Sequence, residues 1–216
     1  MKTAHLLIGY TLFAHLPFCA ARMLAPLNAI ALGAGPATIG LMLAMFGLVT
    51  MLTSVAVGRW LDRGGTRRAL WWSALMLVGT LLVPALWQGM PALFLLCLGC
   101  GTAWNIVYLA VVHVLGMGDD PDEKLGNFST HSALMSVSSF LGPMIAGVVI
   151  DHAGFVAAIW LLAAFPLVVV GGLLTGHLPI PAAACQPRAR PVAAPAAAAA
   201  VAAPVSAAGS ASSARG

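Results

Sequence analysis

The sequence predicts an all-α integral membrane protein with six transmembrane helices, and three observations carry that prediction. Of its 216 residues, 61% are hydrophobic and only 7% are charged, against about 45–50% apolar and about 25% charged in a typical soluble domain. The mean hydropathy is +0.97. So few charges cannot cover the surface of a soluble globule, so apolar side chains must face lipid as well as a core. The apolar runs are also long and continuous, whereas strands of a membrane barrel alternate over about ten residues.

A bilayer core takes roughly 20 helical residues, and the chain divides at its Gly, Pro and charge clusters into six stretches near that length. The first, about 5–31, follows a Met-Lys start. It is longer than the apolar part of a cleavable leader and has Arg22 inside it. It ends at Gly33-Ala34-Gly35-Pro36. The second, about 36–57, runs into the Arg-rich stretch 58–68, and the third, about 69–87, stops at Gln88-Gly89-Met90-Pro91. The fourth, about 91–115, is followed by Gly116 through Asn127, where the acidic run Asp119-Asp120-Pro121-Asp122-Glu123 reads as a solvated connector. The fifth, about 129–150, and the sixth, about 154–176, are separated by Asp151-His152-Ala153-Gly154. Residues 1–178 therefore form a membrane domain. Residues 179–216 are Ala/Pro-rich, with Pro interrupting every potential helix, and read as a disordered tail.

Orientation follows from the basic residues. With the N-terminus inside, Lys2, Arg59, Arg63, Arg67, Arg68, Lys124, Arg188, Arg190 and Arg215 all fall on the inner side, and the three outer loops hold none. The expectation is a multi-pass protein of the inner (plasma) membrane with both termini cytoplasmic. The cysteines Cys19, Cys97, Cys100 and Cys185 do not form a secreted disulfide framework. Cys97 and Cys100 make a C-x-x-C within an apolar run, where a thiolate is disfavoured. No cofactor, metal or nucleic-acid site is expected.

Residues 58–65 read G-R-W-L-D-R-G-G and residues 147–154 read G-V-V-I-D-H-A-G, so both fit G-x-x-x-D-[RH]-x-G at an offset of 89 residues (58 to 147). Each copy follows the second helix of a three-helix set, which predicts two three-helix repeats. An odd number of spans per unit inverts one unit relative to the other.

The stretch Arg22-x-x-x-Pro26, Leu32-Gly33, Ile39-Gly40 and Gly58-x-x-x-Asp62-Arg63-x-Gly65-x-Arg67-Arg68 resembles the N-terminal half of a major facilitator superfamily transporter over residues 5 to about 178. The fold implied is half of a major facilitator fold. The implied activity is secondary transport of a small solute by alternating access, with efflux one of the directions. The resemblance makes Gly58, Asp62, Arg63, Gly65, Arg67 and Arg68 a cytoplasmic gate, in which the aspartate docks on the opposite half. The other reading of the arginines is topology alone. Ser138-x-x-x-Gly142-Pro143-x-x-Ala146-Gly147 is similar to the family's fifth-helix motif associated with antiporters, with Ser and Ala where glycines are usual. Ser138, Gly142 and Ala146 share one face and permit close helix packing, and Pro143 removes a backbone bond.

Polar residues within a bilayer mark the water-facing side. Span one has His15, Arg22 and Asn28; span four has Trp104, Asn105, Tyr108 and His113; span five has His131, Ser132, Ser136, Ser138 and Ser139. Spans three and six are nearly bare. From these, His15, Arg22, Asn105, Tyr108 and His131 are the candidates for a translocation path. Arg22 carries a fixed charge and has no carboxylate within any span, so it reads as an anchor for an anionic solute group or as a structural cation. The histidines titrate near neutrality and make proton coupling one reading, core packing being the other. The family's proton-linked drug exporters usually carry an arginine where this chain has Leu95, which speaks against proton-coupled drug antiport.

An intramembrane enzyme is the rival class, but the spans hold no nucleophile loop, no paired carboxylates and no His-Glu-x-x-His. In the family, solute binds between two six-helix halves, and this sequence supplies one. The expectation is therefore pairing with a second six-helix half or a second copy of the chain. The alternative is a product shortened by truncation or a frameshift near residue 180. The other partner is the lipid bilayer itself.

Overall fold

The computed structural model of the chain describes residues 2–116 and 120–175. The described residues form five helices: α1 (Lys2–Ala31), α2 (Pro36–Gly64), α3 (Thr66–Leu86), α4 (Met90–Leu115) and α5 (Pro121–Leu174). All five are long and apolar enough to cross a membrane. The proposed tail, with Cys185, Arg188, Arg190 and Arg215, lies outside the described residues.

Six separate spans were expected, and the difference lies in α5, which is a single element of 54 residues. A straight helix of that length would extend roughly 80 Å, well over twice the thickness of a bilayer core. It is not straight. Gly154 leaves helical geometry with φ 83° and ψ 173°, a region open to glycine and closed to other residues. Contacts along α1 show the consequence. His15 lies against Ser138 and Phe13 packs on Phe165, with ring centroids 6.1 Å apart. Ser138 and Phe165 are 27 residues apart (138 to 165), which along a straight helix is roughly 40 Å, yet both meet the same turn of α1. The element therefore doubles back at Gly154 into two arms, 121–153 and 155–174.

The start of α5 also departs from the sequence reading. The acidic run expected as a solvated connector is helix from Pro121 onward, because the Asp120 side chain accepts a hydrogen bond from the Asp122 N–H at 3.0 Å and Asp122 and Glu123 occupy the first turn. Negative charge there complements the free N–H groups. The Arg-rich stretch 58–68 is likewise almost wholly helical. Only Gly65, with φ 76° and ψ 148°, separates α2 from α3. Gly65 and Gly154 close the two copies of the repeated motif, and they share one glycine-specific backbone conformation.

At the centre are α1 and α4. Ala20, Ala21, Leu24 and Ala25 of α1 and Leu96, Cys97, Cys100, Ala103 and Val107 of α4 are fully or almost fully buried. Both arms of α5 lie against α1, α3 packs on α4 and α5, and α2 rests mainly on α4. The outward face of α2 carries Leu41, Leu48, Met51, Leu52 and Val55 in exposed positions. The Tyr10 hydroxyl donates to the Leu70 carbonyl at 3.0 Å, tying α1 to α3 near the α2–α3 turn.

Candidate functional site

The α1–α5 crossing sets the geometry of the polar face. A Cβ on Gly142 would sit 2.7 Å from the Leu16 carbonyl oxygen and 3.1 Å from the Ala20 nitrogen, so the two backbones touch at this point. Ser138 and Ala146, one turn to either side, are buried along the same line, and a Cβ on Gly147 would reach the Met23 side chain at 3.4 Å. Small residues at four-residue spacing permit this approach. Because α5 is held so close, its hydroxyls reach the side chains of α1.

His15 Nδ1 lies 2.6 Å from Ser138 Oγ, and His15 Nε2 lies 3.3 Å from Cys19 Sγ. The Ser138 hydroxyl has one proton, and it faces the Leu134 carbonyl at 2.9 Å. With that proton donated there, Nδ1–H donates to Oγ and Nε2 accepts from the Cys19 thiol. His15 is thus a buried, fully partnered imidazole.

Cys19 leads from this relay to open space. A cavity of about 300 Å³ is lined by Cys19, Arg22, Met23, Leu43, Ser139 and Pro143, from α1, α2 and the first arm of α5. Arg22 is exposed in it, its guanidinium carbon 6.0 Å from the centre of the Phe18 ring. No ion pair to Arg22 occurs among the described residues, and their acidic side chains all lie near helix ends. Beside the cavity the rings form a ladder. Phe18 stacks on Trp104 at 5.4 Å, Trp104 lies 4.4 Å from His15 and 6.0 Å from Tyr108, and Tyr108 lies 6.3 Å from His131. Tyr108 is exposed; His131 is buried, and its Nε2 has no hydrogen-bond partner.

Four of the five path candidates, His15, Arg22, Tyr108 and His131, are therefore linked through one cavity and its ring ladder. Asn105 is not among them. Its side-chain N–H donates to Thr53 Oγ1 at 3.0 Å and to the Thr50 carbonyl at 3.3 Å, and Ser54 donates to its Oδ1 at 3.4 Å. It fastens α4 to α2. His113 sits apart in the last turn of α4, with both ring nitrogens buried and unpartnered.

At the α2–α3 turn, Asp62, Arg63, Arg67 and Arg68 are exposed around the buried Gly65, and Gly58 is half-buried one turn before Asp62. Asp62 makes no ion pair among the described residues, so the carboxylate projects free of its four neighbouring arginines. In the second copy of the motif, Asp151 is also exposed, and His152 Nδ1 lies 2.8 Å from the Val148 carbonyl of its own helix.

The sequence profile of the Major Facilitator Superfamily matches residues 6–214. The chain belongs to the major facilitator superfamily. Among the solved structures that share its fold are two of a mutant peptide transporter POT. The sulfate complex aligns with a TM-score of 0.77 at 17% identity, covering 87% of this chain and 40% of that chain. The alafosfalin complex aligns with a TM-score of 0.75 at 17% identity, covering 85% and 40%. This chain thus spans about two fifths of their length. No curated protein matches it.

For this superfamily member the profile runs past residue 178, where the resemblance read from motifs ends. It is a multi-pass membrane protein. The sequence reading passed over Cys19, which lines the cavity, and Phe18, whose ring lies beside Arg22, for lack of charge. Their spacing held the signal, since Cys19 is four residues from His15 and Phe18 four from Arg22, which places them on the same helix face.

Proposed function

We propose that this chain forms one wall of the solute path in a secondary transporter that works by alternating access. The observation that carries the reading is the open cavity at Arg22, placed on the α1, α2 and α5 face of a major facilitator fold. A charged side chain at mid-helix depth is costly in lipid and tolerable beside water. The opposing wall comes from a second six-helix half, in cis or in trans, or from a second copy of the chain.

In this reading α5 crosses the membrane twice, once with each arm, giving six crossings in two inverted three-helix units whose matching turns are Gly65 and Gly154. The basic residues place Lys2 and the α2–α3 turn on the cytoplasmic side of the inner membrane. Gly58, Asp62, Arg63, Gly65, Arg67 and Arg68 form the cytoplasmic gate there, with the free Asp62 carboxylate docking on the opposite half. Ser138, Gly142, Pro143, Ala146 and Gly147 form the packed and kinked segment about which the α1–α5 pair moves. His131, whose Nε2 is unpartnered, is the group open to proton coupling in the path, whereas His15 holds α1 to α5. The direction consistent with the fifth-helix motif is efflux.

The test is solute counterflow in proteoliposomes containing the intact transporter, across a panel of labelled small molecules. Saturable exchange abolished by Arg22→Ala supports the reading. Normal exchange by that variant ends the role of Arg22, and no exchange of any compound by a folded, complete assembly overturns transport.

A further inference from the structure

Resting on the reading of that cavity as part of a solute path, we propose that its ligand is a monovalent organic anion, with a carboxylate on Arg22 and an apolar body against Met23, Leu43 and Pro143. Three observations converge on this class. Arg22 is exposed in the cavity and has no ion pair among the described residues, so its fork of donors is available for two carboxylate oxygens. Ser139, which lines the same space, now donates to the Met135 carbonyl at 2.8 Å and can rotate toward a bound oxygen. Met23, Leu43 and Pro143 offer no polar side-chain partner, so the remainder of the ligand is apolar.

Charge balance narrows the class further. One guanidinium neutralises one negative charge, and a second charge on the ligand would remain uncompensated in a low-dielectric site. An amine finds no counter-charge either, because the described acidic residues Asp62, Asp120, Asp122, Glu123 and Asp151 all lie near helix ends. This wall selects for a monoanion and against a cation. The cavity volume of about 300 Å³ lies at the small end of ligand pockets, which suits a compact solute. The Phe18 ring beneath the guanidinium adds an aromatic surface beside the charge.

A lipid headgroup presents the same anionic oxygens, so the experiment separates the two sources. The purified full chain is placed in nanodiscs of phosphatidylcholine, and equilibrium binding of radiolabelled phenylacetate is measured with phenethylamine and phenylalanine as competitors. The expected result is saturable binding that phenethylamine does not displace and that Arg22→Gln weakens by about 10-fold or more, the scale of a lost charge-assisted pair. Arg22→Lys retains part of the affinity and Ser139→Ala loses a smaller part. Replacing a third of the lipid with phosphatidylglycerol leaves the affinity unchanged.

Absence of saturable binding, equal displacement by phenethylamine, or unaltered affinity in folded Arg22→Gln overturns the proposal. Displacement by phosphatidylglycerol assigns the site to lipid and overturns it as well. If Arg22→Gln does not elute as a monodisperse species, Arg22→Lys and Ser139→Ala decide the matter, and unchanged affinity in both is fatal. Because binding is read without flux, the two readings fail separately. Binding without exchange in a complete assembly removes the transport role, whereas exchange of some other solute without phenylacetate binding removes only the anion assignment.

Discussion

Arg22 leaves α1 with its guanidinium in an open cavity and no ion pair among the described residues, and that isolation makes it the side chain whose loss has the plainest outcome. Arg22→Ala abolishes solute exchange by the intact transporter while leaving the elution profile and helical content unchanged; near-normal exchange contradicts the assignment. His15 behaves oppositely, because its partners are structural. Ser138→Ala strips Nδ1 of its acceptor and costs about 0.6–2 kcal/mol, the range for interhelical hydrogen bonds in membranes, read as a lower midpoint in detergent-induced unfolding. These residues were legible because a polar group inside an apolar span stands out by its cost. Their grouping was only partly legible. Asn105 looked equivalent to Tyr108, three residues further along α4, yet it turns to α2 while Tyr108 faces the ring ladder. A helix face has no assigned neighbour until the other helices are placed.

At the level of elements, glycine backbone geometry settles how α5 is built. The break at Gly154 places a side-chain-free residue at φ 83° and ψ 173°, so Gly154→Val costs about 1–3 kcal/mol in backbone strain. The expected measurement is a matching drop in unfolding free energy, with a similar drop for Gly65→Val. A change below about 0.5 kcal/mol at either site argues against the observed turn. Gly142 is constrained by contact instead. Any side chain there meets the backbone of α1, and Gly142→Leu forces the helices apart at a cost of about 1–3 kcal/mol. The repeat G-x-x-x-D-[RH]-x-G made both turns visible in the sequence. What the sequence hid was how little chain a reversal requires. A single glycine replaces the loop anticipated over 58–68, because the helical residues on either side keep their own hydrogen bonds. The early start of α5 was similarly hidden, since an acidic run reads equally well as solvated loop or as a charged first turn, and the Asp120 cap decides between them.

Across the whole molecule, apolar composition dictated the all-helical membrane fold, and the motif in residues 58–68 pointed to the superfamily that the sequence profile assigns. Which surface borders the cavity could not be read from hydropathy, because the outward face of α2 and Leu43, which lines the cavity, are both apolar. Among the described residues the packing leaves an opening between α1, α2 and the first arm of α5, with Arg22 and Ser139 in its lining. That opening is the central claim, and it predicts a difference in solvent access between two positions on the same protein. In a background with Cys19, Cys97, Cys100 and Cys185 replaced by alanine, Ser139→Cys lines the cavity, whereas Leu75→Cys is exposed on α3 outside the cavity lining. The most direct measurement is the rate at which each thiol reacts with a charged, membrane-impermeant thiosulfonate in lipid vesicles. Ser139→Cys should react at least about tenfold faster than Leu75→Cys, since thiolate formation needs water. Equal and negligible rates at both positions would mean that the face carrying Arg22 is sealed from water, and would contradict the account.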